Sequence, residues 1–124
     1  MVRGGQLSET ATTAPRGAGQ FVRESLAGCP TRAIDDAATL AAEIATSCMA
    51  ATGASAVRVN VERSIDAVRV EVHAPPAPAV AGHRYADLPE LRDDLVEALA
   101  DRWGVDHRPT ERIVWFELEV GYRN

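Results

Sequence analysis

The side chains that could carry chemistry are few and lie far apart along the chain. His73, His83, His107, Cys29 and Cys48 supply the nitrogen and sulfur ligands that zinc prefers, but their spacing matches no zinc-binding pattern. Serine, histidine and aspartate all occur, yet no Gly-x-Ser-x-Gly turn presents a serine as a nucleophile. The sequence therefore predicts neither a metal site nor a hydrolase of the catalytic-triad type.

Composition and charge narrow the classes of partner. The net charge of -5 over 124 residues gives no electrostatic reason to expect nucleic acid or an anionic membrane as a partner. Trp103 and Trp115 fall in strand-like segments, so we expect them to pack in the core and not to stack on bases. The N-terminus lacks the apolar region of a signal peptide, and no stretch approaches the roughly 18 apolar residues of a membrane span. We expect a cytoplasmic protein with reduced thiols.

Apolar periodicity divides most of the chain into helices and strands. Helical spacing predicts helices over about 17–27 and 34–52 and a third that begins near Asp87. Alternating apolar residues predict four strands, over 57–61, 68–72, 103–107 and 112–122. Residues 74–86 contain three prolines and no periodicity, so we expect a mobile, semi-extended loop there.

This order of elements predicts an α+β fold. Helices would cover one face of a mixed, mostly antiparallel sheet, which makes a two-layer α/β sandwich. Residues 16–124 would form a single domain. Residues 1–15 are rich in Gly, Ser and Thr and are expected to form a flexible arm or an edge strand.

The C-terminal third resembles a known family. Ala98-Leu99-Ala100-Asp101-Arg102, Trp103-Gly104-Val105 and Ile113-Val114-Trp115-Phe116-Glu117-Leu118 are similar to the end of small histidine-kinase-like (GHKL or Bergerat) ATPase domains of the anti-sigma-factor serine kinase type. The order of predicted elements is also similar from about Arg16 to Glu119. The resemblance implies a Bergerat-type sandwich. In working relatives, three sequence boxes hold ATP and Mg²⁺.

The first box lies on the second predicted helix. Relatives usually read E-L-V-T-N-A, and this chain reads Glu43-Ile44-Ala45-Thr46-Ser47-Cys48. The resemblance implies that Glu43 occupies the position of the catalytic base. It also implies that Ser47 replaces the asparagine that helps to position Mg²⁺, and a serine hydroxyl is a poorer ligand for that role.

The second box follows the second strand of the predicted hairpin. Relatives read V-E-V-x-D-x-G, where the aspartate accepts a hydrogen bond from the adenine amino group; this chain reads Val70-Glu71-Val72-His73-Ala74-Pro75-Pro76. Ala74 has no acceptor, and losing a buried carboxylate acceptor costs about 1.5–3 kcal/mol. Alternation places His73 on the face opposite Val72, where we expect a structural or solvated role.

The third box is the phosphate loop. The glycine-rich G-x-G-L of relatives falls at about Glu90-Leu91-Arg92-Asp93, which contains no glycine and two carboxylates. Phosphates bind where free backbone N–H groups and a positive helix end face them, so these carboxylates would repel them. The nucleotide boxes are therefore degenerate at all three places.

Two hypotheses of function follow from the resemblance. The favoured one is a non-catalytic regulator that works by protein contact in a partner-switching pathway of transcription control, without ATP, its partner being a sigma factor or a STAS-type anti-anti-sigma protein. The alternative is an ATP- and Mg²⁺-dependent serine kinase with unusual nucleotide contacts and Glu43 as base. Relatives use the first helix for dimer and partner contacts, so we expect a homodimer or partner surface at Arg16–Leu26, with Phe21, Val22 or Leu26 exposed in the monomer.

Overall fold

The computed structural model describes residues 7–76 and 93–120. Within these ranges it contains five strands and three helices. In chain order they are β1 (Leu7–Thr13), α1 (Pro15–Ser25), α2 (Thr31–Thr52), β2 (Val57–Arg63), β3 (Ala67–Ala74), α3 (Asp93–Leu99), β4 (Arg102–His107) and β5 (Arg112–Glu119). The chain is therefore α+β, as the sequence predicts.

The five strands form one open sheet in the order β1-β2-β3-β5-β4. All four neighbouring pairs are antiparallel, so the expectation of a mixed sheet is wrong for the described strands. Two pairs are hairpins, β2–β3 and β4–β5, and the β2–β3 turn is closed by the Ser64 N–H, which donates to the Ala67 carbonyl. Residues 7–13 form an edge strand, which is one of the two states that the sequence left open for the N-terminal segment.

One face of the sheet packs against the helices because apolar residues alternate along the central strands. Val70 lies opposite Val61 on β2 and opposite Phe116 on β5, and all three are buried. The same hydrophobic cluster receives side chains from α1, α2 and α3. The opposite face carries polar side chains and is called the open face below.

Helix α2 packs its apolar side on the sheet. Leu40, Ile44 and Cys48 recur at helical spacing and are fully buried. The helix ends at Gly53, whose φ of 74° lies in the left-handed region that glycine enters without steric cost. Helix α2 begins at Thr31, three residues before the predicted start, and Pro30 directly precedes it, where the missing N–H of proline costs no helical hydrogen bond.

Polar contacts fix the end of helix α1 to the sheet. Arg63 Nη1 donates to the carbonyl oxygens of Ser25 at 3.1 Å and Ala27 at 3.0 Å, where a helix leaves its last carbonyls without partners. The buried Ser25 hydroxyl donates to Glu9 Oε1 at 3.0 Å. These contacts join α1 to both β1 and β2.

The expectation of an exposed apolar residue on α1 is wrong for two of its three candidates. Val22 and Leu26 are both fully buried, and Phe21 is half-buried and packs against the core. Helix α1 contacts α2 on one side and β1 and β2 on another, so it needs a wider apolar stripe than a helix with a single contact. Among the residues described, Ile65 in the β2–β3 turn is the exposed large hydrophobic side chain.

Some expectations fall outside the described residues. These are most of the proline-rich loop, the start of the third helix near Asp87, the glycine-free segment Glu90-Leu91-Arg92 and the predicted end of the last strand at Tyr122. Within 7–76 and 93–120, none of the helices combines the length and the apolar character needed to span a bilayer.

Candidate functional site

Glu43 and Ser47 lie one turn apart on helix α2. The Ser47 hydroxyl is buried and donates to the Glu43 carbonyl oxygen at 2.9 Å, a bond that serine commonly makes inside helices. This bond uses the one proton of the hydroxyl, so Ser47 has no free proton to donate. The Glu43 side chain is half-buried.

Ala74 is the last residue of β3 and lies on the face that packs against the helices. It is 3% exposed, and its methyl group belongs to the core cluster. Its partner across the β3–β5 pair is Arg112, the first residue of β5. Directly opposed residues of an antiparallel pair have Cβ atoms about 4.5–5.5 Å apart, so the Arg112 side chain starts beside the Ala74 methyl group.

Arg112 is the most unusual residue of this region. Its side chain is 1% exposed, and its three guanidinium nitrogens have no hydrogen-bond partner among the residues described. A guanidinium stays protonated in proteins, so burial cannot be relieved by loss of the proton. Burying an unpaired charge costs a desolvation free energy on the order of several kcal/mol. A site of this kind either has a partner in the functional state or destabilises the fold.

Sequence reasoning missed Arg112, although a signal was present. The charge of Arg112 suggests a place among the polar, exposed residues of the last strand. Its even number places it on the same face as Val114, Phe116 and Leu118, which are buried. The strand period therefore predicts a buried arginine, whereas residue type alone predicts an exposed one.

Cys48 is the titratable neighbour of Arg112 on helix α2. Burial raises the pKa of the Cys48 thiol, and the nearby charge of Arg112 opposes that rise without cancelling it. No hydrogen bond of acceptable geometry joins the two groups. Cys48 is therefore a protonated, fully buried thiol at neutral pH and does not neutralise the guanidinium.

A second group of polar residues lies on the open face and surrounds His73. Its Nε2 lies 2.9 Å from Glu71 Oε1, and its Nδ1 lies 2.8 Å from Arg58 Nη2 and 3.0 Å from Glu111 Oε1. An imidazole with its proton on Nε2 donates to Glu71 and accepts from Arg58, which also contacts Glu111 at 3.3 Å. Both ring nitrogens are engaged, so His73 has the structural role expected from the sequence.

The same face continues through Arg69, which bridges two carboxylates. It donates to Glu71 at 3.0 Å and to Glu117 at 2.9 Å, and Arg102 donates to Glu117 from the other side at 2.8 Å. The Arg69 guanidinium also lies 4.4 Å from the centre of the Trp115 ring, a cation–π contact. These residues therefore pair with one another across the open face.

The two tryptophans have different environments. Trp103 packs partly against the core, as the sequence predicts, and its Nε1 donates to Glu97 at 3.1 Å. Trp115 lies on the open face, so the expectation of core packing is wrong for it. A Cβ on the opposing Gly104 would lie 2.9 Å from the Trp115 ring, which explains the glycine at that position.

The carboxylates of the open face make the stability of the fold depend on pH in the acidic range. Hydrogen bonding from Arg102 lowers the pKa of Glu117 against the opposing effect of burial, with Arg69 adding to the lowering. Burial alone would raise the pKa of Glu71, but contacts with His73 and Arg69 outweigh it and lower the pKa. A carboxyl group whose pKa is lower in the folded than in the unfolded state stabilises the fold. This contribution is complete at pH values above the ordinary pKa of 4.5, and it is lost as the pH falls through the lower pKa of the folded state.

We therefore expect the free energy of unfolding to decrease as the pH falls below about 4.5, and to decrease less steeply in Glu117→Gln. Urea unfolding at a series of pH values measures both slopes. Identical slopes for the wild type and Glu117→Gln would contradict this account of the open face.

A surface cavity of about 390 Å³ lies between the start of α2 and the end of β5. Its charged lining consists of one base, Arg32, and three acids, Asp36, Asp101 and Glu119. This mixture favours no single class of ligand. Across residues 7–76 and 93–120, histidine, cysteine and carboxylate side chains form no group of three or more that could hold a metal ion.

The chain matches no protein-family model, and no curated protein is significantly similar to it.

Proposed function

We propose that this chain is a degenerate histidine-kinase-like domain that regulates transcription by protein contact and does not use ATP. The observation that carries the proposal is the pairing of Ala74 with Arg112 at the ends of β3 and β5. The family resemblance places an acceptor for the adenine amino group at position 74. Here that position is an alanine, and its directly opposed residue is an arginine, whose guanidinium can only donate.

A nucleotide bound at this position would bring two kinds of hydrogen-bond donor together, which is unfavourable. The adenine amino group donates hydrogen bonds, and the Arg112 nitrogens can only donate, so the two would compete for an acceptor that neither supplies. Leaving a buried donor unpaired costs about 1–3 kcal/mol. The Ser47 hydroxyl is buried and held against the Glu43 carbonyl, to which it donates, and it is a poorer Mg²⁺ ligand than the asparagine that the resemblance implies at this position. These features support loss of nucleotide binding more than an unusual way of achieving it.

The partner follows from the resemblance and not from a surface of this chain. A sigma factor or a STAS-type anti-anti-sigma protein is the expected class, with a second copy of the chain as a further candidate. Helix α1 remains the proposed contact element, and Phe21 is its half-buried apolar residue. Direct binding assays with purified members of both classes from the same genome test this part of the proposal.

The absence of nucleotide binding is the sharper test. We expect calorimetric titration with ATP and Mg²⁺ to give no saturable heat up to millimolar nucleotide. The same titration of an active anti-sigma-factor kinase serves as the positive control. A micromolar dissociation constant, or phosphorylation of a serine in an added STAS-type protein, would support the kinase alternative with Glu43 as its base.

A further inference from the structure

The two edges of the sheet differ in how well they are protected against pairing with another chain. Strand β4 forms one edge, and the side chains of Arg102, Asp106 and His107 are exposed there. Charged groups along an edge strand oppose the approach of a further strand. Strand β1 forms the other edge, and its seven residues include no arginine, lysine or proline. Its one charged residue is Glu9.

Strand β1 is regular, and its polar side chains are held away from its outer side. All seven residues pair with β2 in one unbroken register, so no bulge turns the strand away from a further neighbour. The hydroxyls of Ser8 and Thr10 donate to Asn60 on β2 at 3.2 and 2.8 Å. Glu9 accepts from the Ser25 hydroxyl on α1 at 3.0 Å. Among residues 7–76 and 93–120, the backbone of β1 pairs with β2 alone.

We propose that a second copy of this chain pairs with β1 through its own β1, in antiparallel orientation and centred on Thr10. The pairing joins two five-stranded sheets into one continuous sheet. The two-fold axis of such a pair is normal to the sheet, so the helices of both copies lie on the same face. The inference concerns a different surface from that of α1, and it holds whether or not the chain binds nucleotide.

The sequence of β1 is complementary to itself in this register. With Thr10 opposite Thr10 of the second copy, all seven residues of each strand are paired, and Glu9 lies opposite Ala11. Ser8 then lies opposite Thr12, and cross-strand pairs of serine and threonine stabilise a sheet. A pairing centred on Glu9 would place two carboxylates directly opposite each other. A pairing centred on Ala11 would leave the first two residues of each strand unpaired.

The variant Thr10→Lys tests the pairing at its centre, because the lysine would lie directly opposite the same lysine of the second copy. The Thr10 side chain is exposed, so the fold of the single chain should be kept, and circular dichroism checks this. We expect sedimentation velocity at increasing micromolar concentrations to show a reversible dimer of the wild type. Thr10→Lys should associate at least about tenfold more weakly, and Thr10→Glu should do the same.

Mixing the two variants tests the register directly. An equimolar mixture of Thr10→Lys and Thr10→Glu should recover the association that each variant loses alone, because every lysine then lies opposite a glutamate. Asp106→Lys is the matched control, since it places a lysine at an exposed position of the opposite edge strand. This control should associate as the wild type does.

Amide exchange tests the same contact in the unaltered chain. Exchange of the outward-facing amides of β1 should slow as the protein concentration rises, while exchange in β4 should not change. Exchange in β1 that is independent of concentration would contradict the proposal.

Three further outcomes would overturn the proposal. One is a wild type that stays monomeric at every concentration. Another is a Thr10→Lys variant that associates as the wild type does, because the contact would then lie on another surface such as α1. The third is a mixture of the two variants that stays monomeric, because the pairing would then not be centred on Thr10. The nucleotide titration of the proposed function is independent of all three.

Discussion

An aspartate introduced at position 74 is expected to cost about 3–5 kcal/mol more folding free energy in an Arg112→Met background than in the wild type. Ala74 is buried and lies directly opposite Arg112 in the sheet. In the wild type the new carboxylate can pair with a guanidinium whose nitrogens lack partners among the described residues. Without Arg112 the same carboxylate is a buried charge with no partner. Urea unfolding of the wild type, Ala74→Asp, Arg112→Met and the double variant measures this coupling.

The neutral variant Ala74→Asn is the matched control for shape. It should show a much smaller dependence on Arg112, since hydrogen bonds between neutral and charged groups are weaker than ion pairs. An aspartate that destabilises both backgrounds equally would mean that the two side chains do not meet. The pair also bears on the proposed lack of nucleotide binding. An aspartate at position 74, as in the histidine-kinase-like ATPases that the sequence resembles, should not confer ATP binding, because Arg112 would pair with the carboxylate that adenine needs.

Phe116→Ala is expected to lower the free energy of unfolding by about 3–5 kcal/mol. Phe116 is fully buried in the middle of β5 and lies between Val70 of β3 and Trp103 of β4. Removing its ring leaves a cavity at the junction of three strands, and the strand backbones limit how far neighbours can close it. Chemical denaturation at neutral pH measures the loss.

Glu119→Ala on the same strand is the control for Phe116→Ala. The Glu119 side chain is exposed, so its truncation should change the free energy of unfolding by no more than about 0.5 kcal/mol. Comparable losses for the two variants would show that β5 does not carry the core as described.

Strand periodicity predicted the fold well where apolar residues occupy the alternating positions of a strand. Val59, Val61, Val70 and Val72 alternate toward the helices as their spacing predicts, because a strand turns successive side chains to opposite faces. The expectation failed where a residue contacts two elements at once. Val22 and Leu26 are buried because α1 packs against both α2 and the sheet, and a periodic pattern on one helix does not show how many neighbours it has.

The candidate site was only partly predictable. The family boxes drew attention to Glu43, Ser47 and Ala74, and two of these proved to be occupied by ordinary helix and core contacts. Arg112 has no counterpart among those boxes. Its charge favours an exposed position, whereas the alternation of side chains along β5 predicts a buried one. Its significance depends on the pairing of β3 with β5, which joins residues 38 positions apart and which no local pattern specifies.

The strand order has a further consequence for how the chain reaches this structure. The β2–β3 and β4–β5 hairpins join neighbours in sequence, so each can form early and independently. The other two pairings close long loops: Leu7 meets Arg63, and Ala67 meets Glu119. Closing long loops requires entropy to be lost before the contacts are gained, which slows folding of sheets rich in non-local pairs. We therefore expect the junction of β3 with β5, which brings Ala74 to Arg112, to form late, when the two hairpins dock, and the charge of Arg112 to become buried only at that step.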